Sequence, residues 1–281
     1  MAVFLNLRAI SVGGGPAAEV RVLSTEPDEP KTVSGLADRV RGRDVLLVTH
    51  GFNVDQADGI ASLSHWKERL TLPPNVLFVG ILWAGDAWVP VVNYPFEGDD
   101  ATQSGKLLAE FLNRHFDEAS SLAFASHSLG ARVVLETIAH LDARVRRLSL
   151  MAGAIDNTCL QDEYQKAAGK VDSISLLASR GDWVLEFAFP VGNFLSGIVS
   201  RGHPYVHEAL GREGPARVNL ANLHSGWQIP DGWGYGHGDY LAHKPGQSLP
   251  PPVDLPPPER SELAPEDKAS WSAGFVSTRL L

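Results

Sequence analysis

The stretch Leu122-Ala123-Phe124-Ala125-Ser126-His127-Ser128-Leu129-Gly130-Ala131 decides the fold. Its first half is an apolar run of the kind that fills a buried strand. Its second half opens an amphipathic helix whose apolar positions are Val133, Val134, Ile138 and Leu141. Between them stands small-X-Ser-X-Gly, the pattern of a serine carried on a sharp strand-to-helix turn. Small residues two before and two after the serine keep the neighbouring backbone from clashing. The helix start then aims its unbonded N–H groups at any charge that develops on the reacting oxygen. Here Ser126 replaces the more usual glycine, which sterics tolerate. The bland alternative is that Ser128 only caps a helix.

Working outward, short β-type runs alternate with helical patterns. Val3 to Ile10 and Glu19 to Leu23 read as an opening antiparallel pair joined through Gly13-Gly14-Gly15-Pro16. Strands are expected at Asp44 to Thr49, Asn75 to Trp83, Ser121 to Ser126, Arg147 to Ala152, Ser173 to Ala178 and Arg217 to Leu223. Asp100 is expected to cap a helix with Leu108, Phe111, Leu112 and Phe116 on one face. Such alternation predicts a doubly wound α/β fold, a mainly parallel sheet with flanking helices.

The division expected is one domain over 1–243 and a Pro-rich tail over 244–281. Leu249-Pro250-Pro251-Pro252 and Leu255-Pro256-Pro257-Pro258 cannot form helix or inner strand. Beyond them, Ala264 to Leu281 can make a short helix with Trp271 and Phe275 on one side. The tail either wraps over the domain or reaches a second subunit, giving a homo-oligomer.

Bulk composition narrows the function. The 281-residue chain is 44% hydrophobic and 20% charged, an ordinary composition for a chain with a sizeable core. A net charge of −9 disfavours nucleic acid and anionic membranes as partners. The N-terminus lacks the features of a signal peptide, and no apolar run approaches the about 20 residues that span a bilayer. A cytoplasmic protein is the expectation. The single cysteine, Cys159, has no adjacent base and reads as a structural thiol. His203 and His207 have the i, i+4 spacing of a metal pair. A short helix between Pro204 and Gly211 explains them as well, and no metal is assigned.

A second segment, Val45-Leu46-Leu47-Val48-Thr49-His50-Gly51-Phe52-Asn53, is an apolar strand ending in His-Gly-Phe-Asn. Together the two segments resemble the α/β-hydrolase superfamily. Within it the chain is similar to a mainly bacterial branch of hydrolases typified by a strand leading to His-Gly-Phe-Asn. That branch often continues with a strand ending near Ser-Trp-Pro. The matching place here, Gly80-Ile81-Leu82-Trp83-Ala84-Gly85-Asp86, keeps the tryptophan and loses the proline. A Tyr-then-Asp pattern is met loosely by Tyr94 with Asp99 or Asp100. The resemblance spans roughly residues 44 to 240.

The resemblance implies an oxyanion hole from the backbone N–H groups of Phe52 and Leu129, with His50 a structural hydrogen-bonder. It also implies the chain order serine, acid, histidine. Asp182, in Ser179-Arg180-Gly181-Asp182, is the preferred acid and Asp156 the alternative. His237, in the glycine-rich loop Gly234 to Tyr240, is the preferred base, with His224 and His243 as alternatives. Asp239 is expected to cap the following turn. His127 is expected to face away from the nucleophile as packing. The aromatic residues Trp83, Trp183, Phe187, Phe189, Phe194, Trp227 and Trp233 are placed at the mouth or in the core. The stretch from Trp183 to Val199 can form a small cap.

The activity implied is that of a carboxylesterase acting on a small-molecule ester through an acyl-enzyme, with no cofactor. A thioesterase, peptidase or acyltransferase would use the same residues. A hydrolase-fold binding protein would need none of them.

Overall fold

The computed structural model describes residues 2–9, 15–25, 32–85, 94–186, 208–217, 219–224, 228–246 and 264–280. Among the described residues, seven strands form one sheet: β1 (Val3–Arg8), β2 (Pro16–Ser24), β3 (Asp44–Thr49), β4 (Val76–Leu82), β5 (Ser121–His127), β6 (Val145–Met151) and β7 (Val171–Leu177). Their order is β2-β1-β4-β3-β5-β6-β7. β1 and β2 pair antiparallel, and every other pairing is parallel. Apart from their first residues, β3, β4 and β5 are buried throughout, as unbroken apolar sequence requires of inner strands.

The helices are α1 (Val33–Val40), α2 (Gln56–Lys67), α3 (Tyr94–His115), α4 (Gly130–His140), α5 (Gln165–Gly169), α6 (Leu210–Glu213) and α7 (Lys268–Leu280). From β3 the chain steps through α2 to β4 on one side. From β5 it steps through α4 to β6 on the other. Because parallel crossovers are right-handed, α2 and α4 then lie on opposite faces of the sheet. The neighbours β3 and β5 therefore flank a topological switch point, and the crevice beyond their carboxyl ends is the natural place for a ligand. Both sequence motifs end there.

Two expectations need correction. Asp100 is not a cap: α3 begins at Tyr94, because a proline at position 95 is tolerated in a first helical turn. The face formed by Leu108, Phe111, Leu112 and Phe116 is buried as expected. The last strand, Arg217 to Leu223, reduces to a parallel bridge from Leu223 to Ile174, with a second from Gln228 to Ala178. The helix expected in the tail forms as α7, with Ala273, Phe275 and Val276 buried in the common core. It packs against α2 and β6.

The metal-pair candidates His203 and His207 lie outside the described residues. So do Phe187, Phe189, Phe194, Trp227, the proline run and all but the start of the cap segment. That start, 183–186, is a helical turn with Trp183 exposed. Among the described residues no helix is long and apolar enough to cross a membrane.

Candidate active site

Ser128 follows β5 directly and has φ of +56°, a left-handed conformation that a non-glycine residue holds only at a cost of about 1–3 kcal/mol. The turn is locked on both sides: Ser128 N–H donates to Met151 O (3.0 Å), and Ser128 O accepts from Ala154 N (3.1 Å) and Ala131 N (3.1 Å). Gly130 is demanded by contact, since a Cβ there would lie 2.4 Å from His50 O. Gly51 is demanded likewise, because its Cβ would lie 2.8 Å from Ser128 Cβ. The ends of β3 and β5 are thus pressed together with no room for side chains between them.

The His-Gly-Phe-Asn segment is clamped along its length. Trp83 Nε1–H donates to His50 O (2.9 Å), and Arg8 donates to Trp83 O (2.8 Å) and Val54 O (2.9 Å). His50 Nδ1–H donates to Gly51 O (2.8 Å). That bond fixes the Gly51–Phe52 peptide plane, from whose other edge the Phe52 N–H projects. His50 is fully buried, and burial pushes its imidazole down to about 4, so the ring is neutral. Its Nε2 has no hydrogen-bond partner among the described residues. His50 is thus a structural hydrogen-bonder, and Trp83 lies buried against it at 5.9 Å between ring centroids instead of at a mouth. Leu129, the residue before α4, is 4% exposed, and Phe52 is half-buried.

Three side chains from three segments meet here. His237 Nε2 lies 2.8 Å from Ser128 Oγ, and His237 Nδ1 lies 2.7 Å from Asp182 Oδ2. Asp182 is 0% exposed, and its Oδ1 accepts from Leu185 N (3.1 Å) at the start of the helical turn. Its second oxygen is therefore held towards the imidazole. The histidine loop is tied to the acid loop by Ser179 Oγ–H donating to Tyr235 O (2.8 Å). Asp239 Oδ2 accepts from Gly236 N (2.8 Å) and Lys268 Nζ (2.7 Å), so it caps its own turn and anchors the loop to α7.

The alternatives are engaged elsewhere. Asp156 Oδ1 accepts from the Thr158 N–H and hydroxyl (2.8 and 2.9 Å), a local turn. His224 Nε2 pairs with Ser173 Oγ at 2.7 Å. His243 Nε2 donates to Gly238 O (3.0 Å) at the rim. Cys159 is buried, which pushes its thiol up and leaves it unreactive.

One residue contradicts its expected place. His127 does not face away: its ring centroid is 4.9 Å from that of His237, and its Nε2–H donates to His237 O (2.7 Å). Strand alternation predicts opposite sides for residues 127 and 128, but the left-handed φ at Ser128 breaks that alternation.

Over residues 29–243 the chain matches the family described as alpha/beta hydrolase of unknown function (DUF900), and it belongs to that family. Among solved structures it is similar to esterase PE8, at 17% identity and a TM-score of 0.39, covering 73% of this chain and 87% of that one. It is also similar to acetyl xylan esterase 1 from Thermoanaerobacterium sp. JW/SL YS485, at 13% identity and a TM-score of 0.39, covering 84% and 82%. Phospholipase PlaB from Legionella pneumophila matches over 45% of this chain and 28% of its own, with a TM-score of 0.24 and 17% identity. No protein of curated function matches the chain.

Proposed function

We propose that the protein is a serine carboxylesterase that hydrolyses small esters through an acyl-enzyme on Ser128. The observation that carries this reading is the unbroken chain Ser128 Oγ–His237–Asp182, with contacts of 2.8 and 2.7 Å. In the first half-reaction Ser128 Oγ attacks the acyl carbon while its proton passes to His237 Nε2. The tetrahedral oxyanion meets the N–H groups of Phe52 and Leu129, the latter at the positive end of α4. Collapse breaks the ester C–O bond, and the alcohol leaves with the proton from His237. Water then gives its proton to the same nitrogen as it attacks the acyl-serine. Collapse breaks the acyl–Oγ bond, returns the proton from His237 to Ser128 Oγ and releases the acid. Asp182 holds the imidazole in the required tautomer and stabilises its charged form.

The acyl group we propose is short and neutral. A cavity of about 80 Å³ beside Ser128 is bordered by Phe52, Val54, Ser62, Leu241 and His243. A dry cavity of about 150 Å³ admits benzene, so roughly half that suits an acyl chain of a few carbons. No lysine or arginine is among its described lining residues to recognise a carboxylate.

A panel of p-nitrophenyl esters graded from acetyl to decanoyl tests this, with thioester and peptide substrates alongside. Highest kcat/KM on the shortest esters is expected, lost in Ser128→Ala. Preference for a thioester or peptide, or no turnover of any ester by the folded protein, would overturn it.

A further inference from the structure

His127 precedes the nucleophile, and the mechanism above gives it no task. Two consecutive residues at the tip of β5 nevertheless grip the same partner. Ser128 Oγ meets the imidazole of His237 at 2.8 Å, and His127 Nε2 meets its backbone oxygen at 2.7 Å. The loop they grip is flanked by Gly234, Gly236 and Gly238, which give the backbone little stiffness of its own. His127 is buried, only 8% exposed. It lies between the His237 ring at 4.9 Å and the Tyr240 ring at 5.9 Å. On the β3 side the Gly51 backbone closes in, where an added Cβ would lie 3.0 Å from His127 Nδ1.

We propose that His127 is a positioning residue for the base: its Nε2–H holds the His237 backbone at the height over the elbow at which the imidazole meets Ser128. The proposal rests on the Ser128–His237 assignment above. A carbonyl only accepts, so Nε2 must carry the hydrogen and the neutral ring leaves Nδ1 bare. Permanent neutrality matters, because a cation here would stand against the imidazolium that forms on His237 during each acyl transfer. The groups facing His127 are His237, His243 and the phenol of Tyr240 from the histidine loop and its exit, and His50 from the end of β3. None of them is a carboxylate that would draw a proton onto it. Burial first, and the charge of His237 second, push its imidazole down to about 3.

The test compares His127→Phe, which keeps a ring and loses the donor, with His127→Gln, whose amide puts an N–H near the old Nε2. Turnover of p-nitrophenyl acetate and the rate of fluorophosphonate capture are read on folded protein, with melting temperature alongside. For His127→Phe, kcat and capture rate should fall roughly ten- to hundredfold with KM within about twofold, because a displacement on the order of 1 Å is enough. The shape of the pH profile should not change. His127→Gln should recover most of the loss. A folded His127→Phe protein with wild-type kcat would overturn the proposal, as would equal kcat losses in both variants that follow only the fall in melting temperature.

A third measurement needs no variant. Nitrogen NMR of the wild type should show His127 as the neutral Nε2–H tautomer, not titrating between about pH 5 and 8, the range in which an ordinary histidine changes charge. Titration in that range, or the Nδ1–H tautomer, would overturn it. Failure of the wild type to react at Ser128 removes the underlying assignment and this role with it. Reaction at Ser128 that is indifferent to residue 127 removes only the role.

Discussion

The two halves of the site are built differently. Ser128 and the Gly51–Phe52 peptide stand at the ends of neighbouring central strands, locked by backbone bonds and by contacts too close for a side chain. Asp182 and His237 stand on loops beyond the sheet, held by a handful of side-chain ties: Ser179 to Tyr235, Lys268 to Asp239, and His127 to His237. The first half is held by the fold itself. In the second, individual hydrogen bonds set the geometry, so small changes distant from the serine should reach the rate.

The largest effect belongs to the sheet-borne half. Ser128→Ala should leave the fold intact and lower ester turnover by roughly six orders of magnitude, as nucleophile loss does in comparable enzymes. Turnover on purified, folded protein checks it, and retention of more than a trace would move the chemistry elsewhere.

The loop half offers a sharper contrast between two aspartates. Asp182→Asn should preserve the shape, favour the wrong imidazole tautomer, and cost about four orders of magnitude in turnover. Asp156→Asn touches a local turn and should cost about 1 kcal/mol of stability and little rate. Turnover and melting measured side by side decide between them. An inactive but folded Asp156→Asn protein would reverse the assignment.

The strand ends carry two buried neutral histidines, His50 after β3 and His127 at the end of β5, pushed down to about 4 and about 3. Unfolded, each takes up a proton near pH 6.5, while the native state resists until far lower. The unfolded state then binds more protons, so stability falls as pH drops from about 6.5 towards 4. The slope is at most about 1.4 kcal/mol per pH unit for each histidine. Denaturant midpoints across that range should show the loss, and His127→Gln should make it shallower. A midpoint independent of pH would mean that neither ring is held neutral.

How legible the site was follows the same division. The apolar runs of β3 and β5 and the spacing around Ser128 are local signals, and they point to the proposed nucleophile and oxyanion segment. Asp182 and His237 follow from chain order once the family is recognised, with only a turn after a strand and a glycine-rich loop as local signs. The true side of His127 was hidden because one left-handed residue cancels the period-2 alternation of a strand. The tie from His50 to Gly51 O is a ring-to-backbone contact that no periodicity reports. α2 leaves little periodic signal in the sequence because it buries only Gly59, Leu63 and Trp66, a thin stripe. The segment after β7 lacked a strand's regularity because it pairs only through two bridges.

Smaller effects refine the contrast. Lys268→Met cuts the tie between α7 and the histidine loop and should lower kcat about three- to tenfold with KM little changed. An unaltered kcat would show that the loop is held without it. Ser126→Ala, in the sheet-borne half, removes a buried hydroxyl that has no hydrogen-bond partner among the described residues. It should leave turnover unchanged and stability equal or slightly higher, by up to about 1 kcal/mol. A clear loss of stability would mean that the hydroxyl is satisfied in solution.

The most direct measurement of the central claim is where covalent capture occurs. A fluorophosphonate probe, followed by intact mass and peptide mapping, should modify the wild type once, at Ser128, and react far more slowly with Asp182→Asn. Ser128→Ala should stay unmodified. A folded wild-type protein that does not react, or a Ser128→Ala protein that still does, would contradict the account.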